Sequence, residues 1–265
     1  MTALYCDQHP AVDPKALPLV CLHGWGMNLR AFDPVRNALR DRGTWALDLP
    51  GHGRSEWFDN RADLESQLED LTAALPPECL LIGWSLGGQL ALELARRVPK
   101  RIRGLVLVST TPRFTTATDW PHGLEAETMD AFRGMLEQDW RRTLRDFLQL
   151  QVRGSRNAEA SLQQMESALL EHGLPTQAAL RAGLALLTRL DQRSDLSQIH
   201  HPALVLSGQH DRVTPPAAGR WLAESLPTAR YQQIARAGHA PLLSHADEVV
   251  AVISEFLNEF ELAIA

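Results

Sequence analysis

Three observations predict an α/β fold, a doubly wound and mostly parallel sheet with an inserted helical cap. Short apolar runs alternate with helix-like segments at both ends of the chain, and that rhythm stops between residues 112 and 198, where amphipathic helical segments follow one another. A glycine-framed serine, Gly83-Trp84-Ser85-Leu86-Gly87, sits where one apolar run gives way to a helix. Strands are expected at 17–22, 44–49, 79–82, 105–108, 203–207 and 231–235. Each is nearly continuous in apolar residues rather than alternating, the mark of strands covered on both faces. Helices fit at 29–42, 64–75, 88–98, 216–225 and 247–260. The core is then residues 1–111 and 199–265, and residues 112–198 form the cap, with helices near 125–139, 140–152, 158–171 and 177–190. Loops at the carboxyl ends of such strands collect ligands and catalytic groups.

Composition narrows the function. At 265 residues, 45% hydrophobic and 22% charged, the chain suits one soluble core with an insertion. A formal charge of −6 argues against nucleic acid or an anionic membrane as partner. No run of about 18 apolar residues is present, and Met1 to Asp7 lack the basic and apolar regions of a signal peptide. Three cysteines, two of them (Cys21 and Cys79) in apolar strand-like runs, do not form a disulfide framework. A cytoplasmic monomer is expected.

The serine carries the chemistry. Strand, Gly-x-Ser-x-Gly and helix in succession describe a nucleophile elbow, a turn tight enough to strain the serine backbone. A serine hydroxyl becomes a nucleophile when a base removes its proton and an acid orients that base. Asp211, in Ser207-Gly208-Gln209-His210-Asp211, and His239, in Ala237-Gly238-His239-Ala240-Pro241, each follow an expected strand and are the candidates. His23, His52 and His245 are weaker alternatives for the base, His245 being better placed to cap the last helix. Asp48 suits a turn-ordering hydrogen bond. The oxyanion of acyl transfer needs preorganised donors. One is the Leu86 N–H, and the second is the backbone N–H of Trp25 in Leu22-His23-Gly24-Trp25-Gly26, whose ring could instead serve as a rim aromatic. His200-His201-Pro202 and His210-Asp211 lack metal-site spacing, and no phosphate loop or dinucleotide fingerprint occurs, so neither metal nor cofactor is expected.

With these residues in hand, a family resemblance becomes visible. His23-Gly24-Trp25-Gly26-Met27-Asn28, Asp48-Leu49-Pro50-Gly51-His52-Gly53-Arg54-Ser55, Gly83 to Gly88 and Gly238-His239-Ala240-Pro241 together resemble the α/β-hydrolase superfamily over nearly the whole chain. In that superfamily the triad runs serine, acid, histidine, as Ser85, Asp211 and His239 do here. A narrower resemblance, to the pimeloyl-acyl-carrier-protein methyl ester esterases of biotin synthesis, rests on His-Gly-Trp-Gly, Gly-Trp-Ser-Leu-Gly-Gly, the cap segment Arg142 to Gln151 and Ala240 to His245. It implies Ser85, Asp211 and His239 as triad and Trp25 with Leu86 at the oxyanion. It further implies a substrate site that adds Phe147, Leu148, Gln149, Leu150 and Gln151, and an acyl carrier protein as the partner that brings the substrate. Asp146 departs from the pattern, standing where a basic cap residue would suit an acidic carrier.

Arg141, Arg142 and Arg145 concentrate positive charge on the cap of an otherwise acidic chain, at spacings that put several on one helical face. Such a patch would steer an acidic carrier, or equally be a solvated face paired with Asp139 and Asp146. Phe147, Leu148 and Leu150, with Leu184, Leu186 and Leu187, either wall an apolar tunnel or pack the cap. A general short-chain esterase, a C–C bond hydrolase and a ligand-binding receptor that has lost catalysis remain as rivals.

Overall fold

The computed structural model describes residues 4–13 and 16–264; the outer bounds expected for the core and the first three residues of the N-terminus lie outside them. Seven strands, β1 (Cys6–His9), β2 (Leu19–Leu22), β3 (Thr44–Leu47), β4 (Cys79–Trp84), β5 (Ile102–Val108), β6 (Ala203–Gly208) and β7 (Ala229–Ile234), form one sheet in the order β1-β3-β2-β4-β5-β6-β7. Only β1 runs antiparallel, against β3. The central strands β2, β4 and β6 are buried at every position, as continuous apolar runs require. Each fully buried leucine or isoleucine there contributes about 1.5–3 kcal/mol.

Helices α1 (Asp33–Ala38), α2 (Leu64–Ala74) and α3 (Leu86–Arg97) follow the early strands. Between β5 and β6 come α4 (Ala126–Gln138), α5 (Trp140–Val152), α6 (Ala158–His172) and α7 (Gln177–Arg189). The chain closes with α8 (Pro216–Ser225), α9 (Pro241–Ser244) and α10 (Ala246–Ile264). The layer follows from packing: α3 lies on β2, β4 and β5, α8 on β6 and β7, and α1 touches α10. Among the described residues no helix is long and apolar enough to cross a membrane.

Two expectations are corrected. The strand at Cys6–His9 is absent from the sequence reading because Cys-Asp-Gln-His carries no apolar signature; as a partly exposed edge strand it needs none. The single helix expected at 29–42 is three pieces. A 3₁₀ turn, Leu29–Phe32, is capped by Asn28, whose side chain accepts the Arg30 N–H. The α-helix begins afresh at Asp33 with Pro34 in its first turn, a second 3₁₀ turn covers Arg40–Arg42, and Gly43 leaves it with a positive φ of 75°.

Candidate active site

Ser85 stands between β4 and α3 with φ 56° and ψ −117°, a conformation that L-residues avoid. The strain is held by hydrogen bonds with three residues. Its N–H donates to the Val108 carbonyl (2.9 Å), and its own carbonyl accepts from Gly88 N–H (2.9 Å) and from the Thr110 hydroxyl (2.7 Å). The flanking glycines are sterically required: a Cβ on Gly83 would strike the Gly87 carbonyl, and one on Gly87 the Leu22 carbonyl.

Loops after β6 and β7 bring in the other two groups. His239 Nε2 lies 3.0 Å from Ser85 Oγ, and its Nδ1 lies 2.9 Å from Asp211 Oδ2. All three are buried, at 5%, 1% and 5% exposure for Ser85, His239 and Asp211. Asp211 Oδ1 accepts the Val213 and Thr214 N–H groups, both at 2.9 Å, and Oδ2 accepts the Thr214 hydroxyl at 2.9 Å. These donors satisfy a buried carboxylate and fix its orientation toward the imidazole. The set of hydroxyl, imidazole and carboxylate in line can transfer a proton from serine while holding one histidine tautomer.

Leu86 opens α3, where the first N–H groups have no partner within the helix. Gly24 lies against Ser85, since a Cβ on it would stand 3.2 Å from the Ser85 Cβ, which brings the neighbouring Trp25 main chain beside the elbow. Among the described residues neither the Trp25 nor the Leu86 N–H is engaged in a turn or loop hydrogen bond. The Trp25 loop is braced from below by His23, whose Nδ1–H donates to the Gly24 carbonyl (2.8 Å) while Nε2 accepts the Leu49 N–H (2.9 Å). Burial and the neighbouring His52 hold His23 well below the usual histidine range, and burial pushes His52 down to about 4. Both are therefore neutral supports rather than bases. Asp48 orders the turn as expected, accepting Leu29 and Arg54 N–H groups at 2.9 Å each, and it also meets His172 Nε2 of α6 at 2.8 Å. Burial pushes its carboxyl above the ordinary range. His245 stands between α9 and α10, its carbonyl accepting the Val249 N–H.

An apolar slot of about 80 Å³ lies between Trp25, Phe132, Phe147, Leu150, Leu184 and Leu187, reaching Val213 on the Asp211 loop. The Trp25 ring meets Phe132 and Phe147 edge-on, at 5.4 and 5.1 Å between centroids, and its indole N–H donates to the Leu180 carbonyl of α7 (2.8 Å). Of the five cap residues expected at the substrate, Phe147 and Leu150 line this slot. Gln151 reaches the site through its main chain, where its carbonyl accepts the His239 N–H (2.8 Å). Leu148 and Gln149 do not line the slot: Leu148 is buried beside a groove of about 460 Å³ with Arg141 and Arg145, and Gln149 lies on a second groove of about 550 Å³ with Asp146 and Glu159. Helical periodicity explains the split, because five successive residues cover every side of a helix. Arg141, Arg142 and Arg145 are all exposed; Arg141 stacks over Trp140, and Arg142 stands 3.8 Å from Asp146. The Thr214 hydroxyl and the Gln151 carbonyl are contacts that the sequence reading missed. Among the described residues no group of three or more metal-binding side chains comes together.

Comparison with known proteins agrees with this geometry. A family model for the alpha/beta hydrolase fold matches residues 18–246. A pimeloyl-[acyl-carrier protein] methyl ester esterase from Stenotrophomonas maltophilia is 40% identical over 94% of this chain and 96% of its own. A protein of the same name from Nitrosomonas europaea is 40% identical over 88% of this chain and 92% of its own. Among solved structures, an esterase from Exiguobacterium antarcticum superposes with a TM-score of 0.87 over 97% of this chain and 96% of that one, at 22% identity, a likeness of fold.

Proposed function

Because this chain belongs to the α/β-hydrolase family, and within it to the pimeloyl-[acyl-carrier protein] methyl ester esterases, we propose that it hydrolyses the methyl ester of a pimeloyl group carried on acyl carrier protein, freeing the pimeloyl carboxylate for biotin synthesis. The observation that carries this reading is the 3.0 Å approach of His239 Nε2 to a strained Ser85 Oγ, with Asp211 2.9 Å behind the imidazole.

His239 takes the Ser85 proton as the hydroxyl oxygen attacks the ester carbonyl. The tetrahedral oxyanion is held by the Trp25 and Leu86 N–H groups, a kind of donor whose loss costs about 3 kcal/mol of transition-state stabilisation. His239 then protonates the departing methanol. Water, deprotonated by the same imidazole, attacks the acyl-enzyme and the carbonyl re-forms as Ser85 leaves with the proton. Asp211 holds the tautomer throughout and stabilises the imidazolium. Phe147 and Leu150 of the cap border the acyl chain. The apolar lining of the slot suits an acyl chain, and the likeness to methyl ester esterases over most of the chain favours this reading over a general short-chain esterase or a C–C bond hydrolase.

The carrier is too large for any cavity here, so it docks outside. Exposed Arg141, Arg142 and Arg145 on α5 support a carrier face at that helix. The protein acts as a monomer in the cytoplasm, a reducing compartment that suits its three free cysteines. Mass spectrometry of methyl-pimeloyl carrier protein tests the reading: incubation removes about 14 Da, the mass of one CH₂, as expected of ester hydrolysis. Ser85→Ala leaves the mass unchanged. Retained turnover in that variant refutes the mechanism. A kcat/KM that falls with salt on the carrier substrate but not on a short soluble ester supports the arginine face, and equal salt dependence on both removes it.

A further inference from the structure

The loop that carries His239 is held from two directions. From the core, the His210 N–H donates to the Ala237 carbonyl (2.8 Å), and the Arg236 N–H donates to the Gln209 side chain (3.0 Å). The N–H groups of His239 and of the residue before it are instead taken up by the cap. The His239 N–H donates to the Gln151 carbonyl at the end of α5 (2.8 Å), and the Gly238 N–H donates to the Ser155 hydroxyl in the turn before α6 (2.8 Å). A third contact, His210 Nδ1 with the Gly154 carbonyl (3.0 Å), joins the same turn to the loop of Asp211. The fit is close: a Cβ on Gly238 would lie 2.7 Å from the Gln151 carbonyl oxygen and 3.0 Å from the Ser155 hydroxyl. The loop also needs holding, because Arg236 enters it at φ 57°, a left-handed conformation that residues with a Cβ rarely adopt.

We infer that the α5–α6 turn of the cap, through the Ser155 hydroxyl and the Gln151 carbonyl, is a positioning element for His239, so that the imidazole is aligned with Ser85 only while the cap is seated. The inference rests on the reading of His239 as base and adds a cap residue, Ser155, to the parts on which that base depends. A buried N–H left without its acceptor carries the full cost of its desolvation, and the loop escapes that cost by moving toward water. His239 moves with it, since it is the residue that follows Gly238 in the affected main chain. The hydrogen bond of 3.0 Å to Ser85 is then lost for part of the population. Proton transfer depends on that reach, whereas the walls that bind an ester do not.

The test compares Ser155→Ala, Ser155→Thr and Asn157→Ala with the unaltered protein on a short soluble ester. Asn157 is the control: its side chain also ties cap to core, donating to the Ser244 carbonyl (3.3 Å), without touching the His239 loop. Rates are normalised to active sites titrated with a fluorophosphonate, so that unfolded molecules do not count. Ser155→Ala should lower kcat and the rate of fluorophosphonate labelling about tenfold with KM unchanged. Ser155→Thr, which keeps the hydroxyl, should recover most of the loss, and Asn157→Ala should match the unaltered protein. A kcat for Ser155→Ala equal to that of Asn157→Ala, or a loss confined to melting temperature, overturns the inference and leaves the turn as packing. Failure of the fluorophosphonate to label Ser85 in the unaltered protein sinks the esterase reading itself, a result separate from any behaviour of Ser155.

Discussion

Ser85 is held by its own main chain, whereas Phe147, on α5, is held by what it packs against. At the elbow, hydrogen bonds to Val108, Gly88 and Thr110 and the closeness of Leu22 leave one backbone path, and glycine is the residue that fits beside it. In the cap, aromatic edges and leucine side chains define the slot, and Gly134 in α4 has nothing within 4 Å of where its Cβ would be. The elbow tolerates no added atom, whereas the cap has room at Gly134, though not at Gly183 of α7, whose Cβ would lie 2.8 Å from the Trp25 ring. Substrate range can therefore change through the cap while the reaction stays fixed.

The sharpest way to break that contrast is Gly87→Ala. The added methyl would drive into the Leu22 carbonyl, and main chain cannot yield as a side-chain tip can. Loss of soluble folded protein is expected, read by circular dichroism of the purified fraction; a folded and active variant would show the elbow to be as adaptable as the cap. Acid comes next. His23 and His52 are kept neutral by burial in the fold, His52 down to about 4, while the unfolded chain titrates near 6.5. The unfolded state then binds the extra protons, so stability is complete above pH 6.5 and is lost as the pH falls toward 4. His52 contributes about 2 kcal/mol of loss by pH 5, from about 1.4 kcal/mol per pH unit, and His23 adds to it in the same direction. Asp48, pushed upward by burial, works in the opposite sense. Urea unfolding at pH 7 and pH 5 measures the difference, and an unchanged midpoint would mean that both imidazoles accept protons in place.

Thr214→Val is a smaller perturbation. It keeps the shape and removes the hydroxyl that donates to Asp211 Oδ2, leaving the two backbone donors on Oδ1 to hold the carboxylate against the imidazole. A fall of about tenfold in kcat with little change in KM is expected, in line with about 1.5 kcal/mol for a hydrogen bond to a charged group. At the far end, Gly134→Ala in the cap should stabilise the protein by about 0.5–1 kcal/mol, because alanine is the better helix former and meets no neighbour. Thermal unfolding reads it, and a destabilised variant would contradict the view of that position as sterically open.

The same contrast explains what was legible in the sequence. Ser85, Asp211 and His239 could be read because local patterns place them: glycines around a turn, and polar loops directly after apolar runs. The continuous strands β2, β4 and β6 were visible for the same reason. The strand at Cys6–His9 was not, being polar and half exposed at a sheet edge. Nor was the Asp48–His172 contact, which joins residues 124 apart through packing of α6 on the core. Ser155 and the contact of the Gln151 carbonyl with His239 escaped notice because a main-chain carbonyl has no residue type, and one hydroxyl in a turn resembles any other. In the cap segment 147–151 the resemblance named the whole stretch, and only the helix phase separates Phe147 and Leu150, which line the slot, from Leu148 and Gln149, which do not.

Trp25 occupies both halves of this molecule, its amide beside the elbow and its indole fastened to the Leu180 carbonyl of α7. A conventional alanine scan at that position would erase the fastening and preserve the amide, and so would report the ring's worth under the amide's name. Telling the two apart calls for chemistry on the polymer itself, an ester linkage in place of one peptide bond, with the tryptophan side chain left intact.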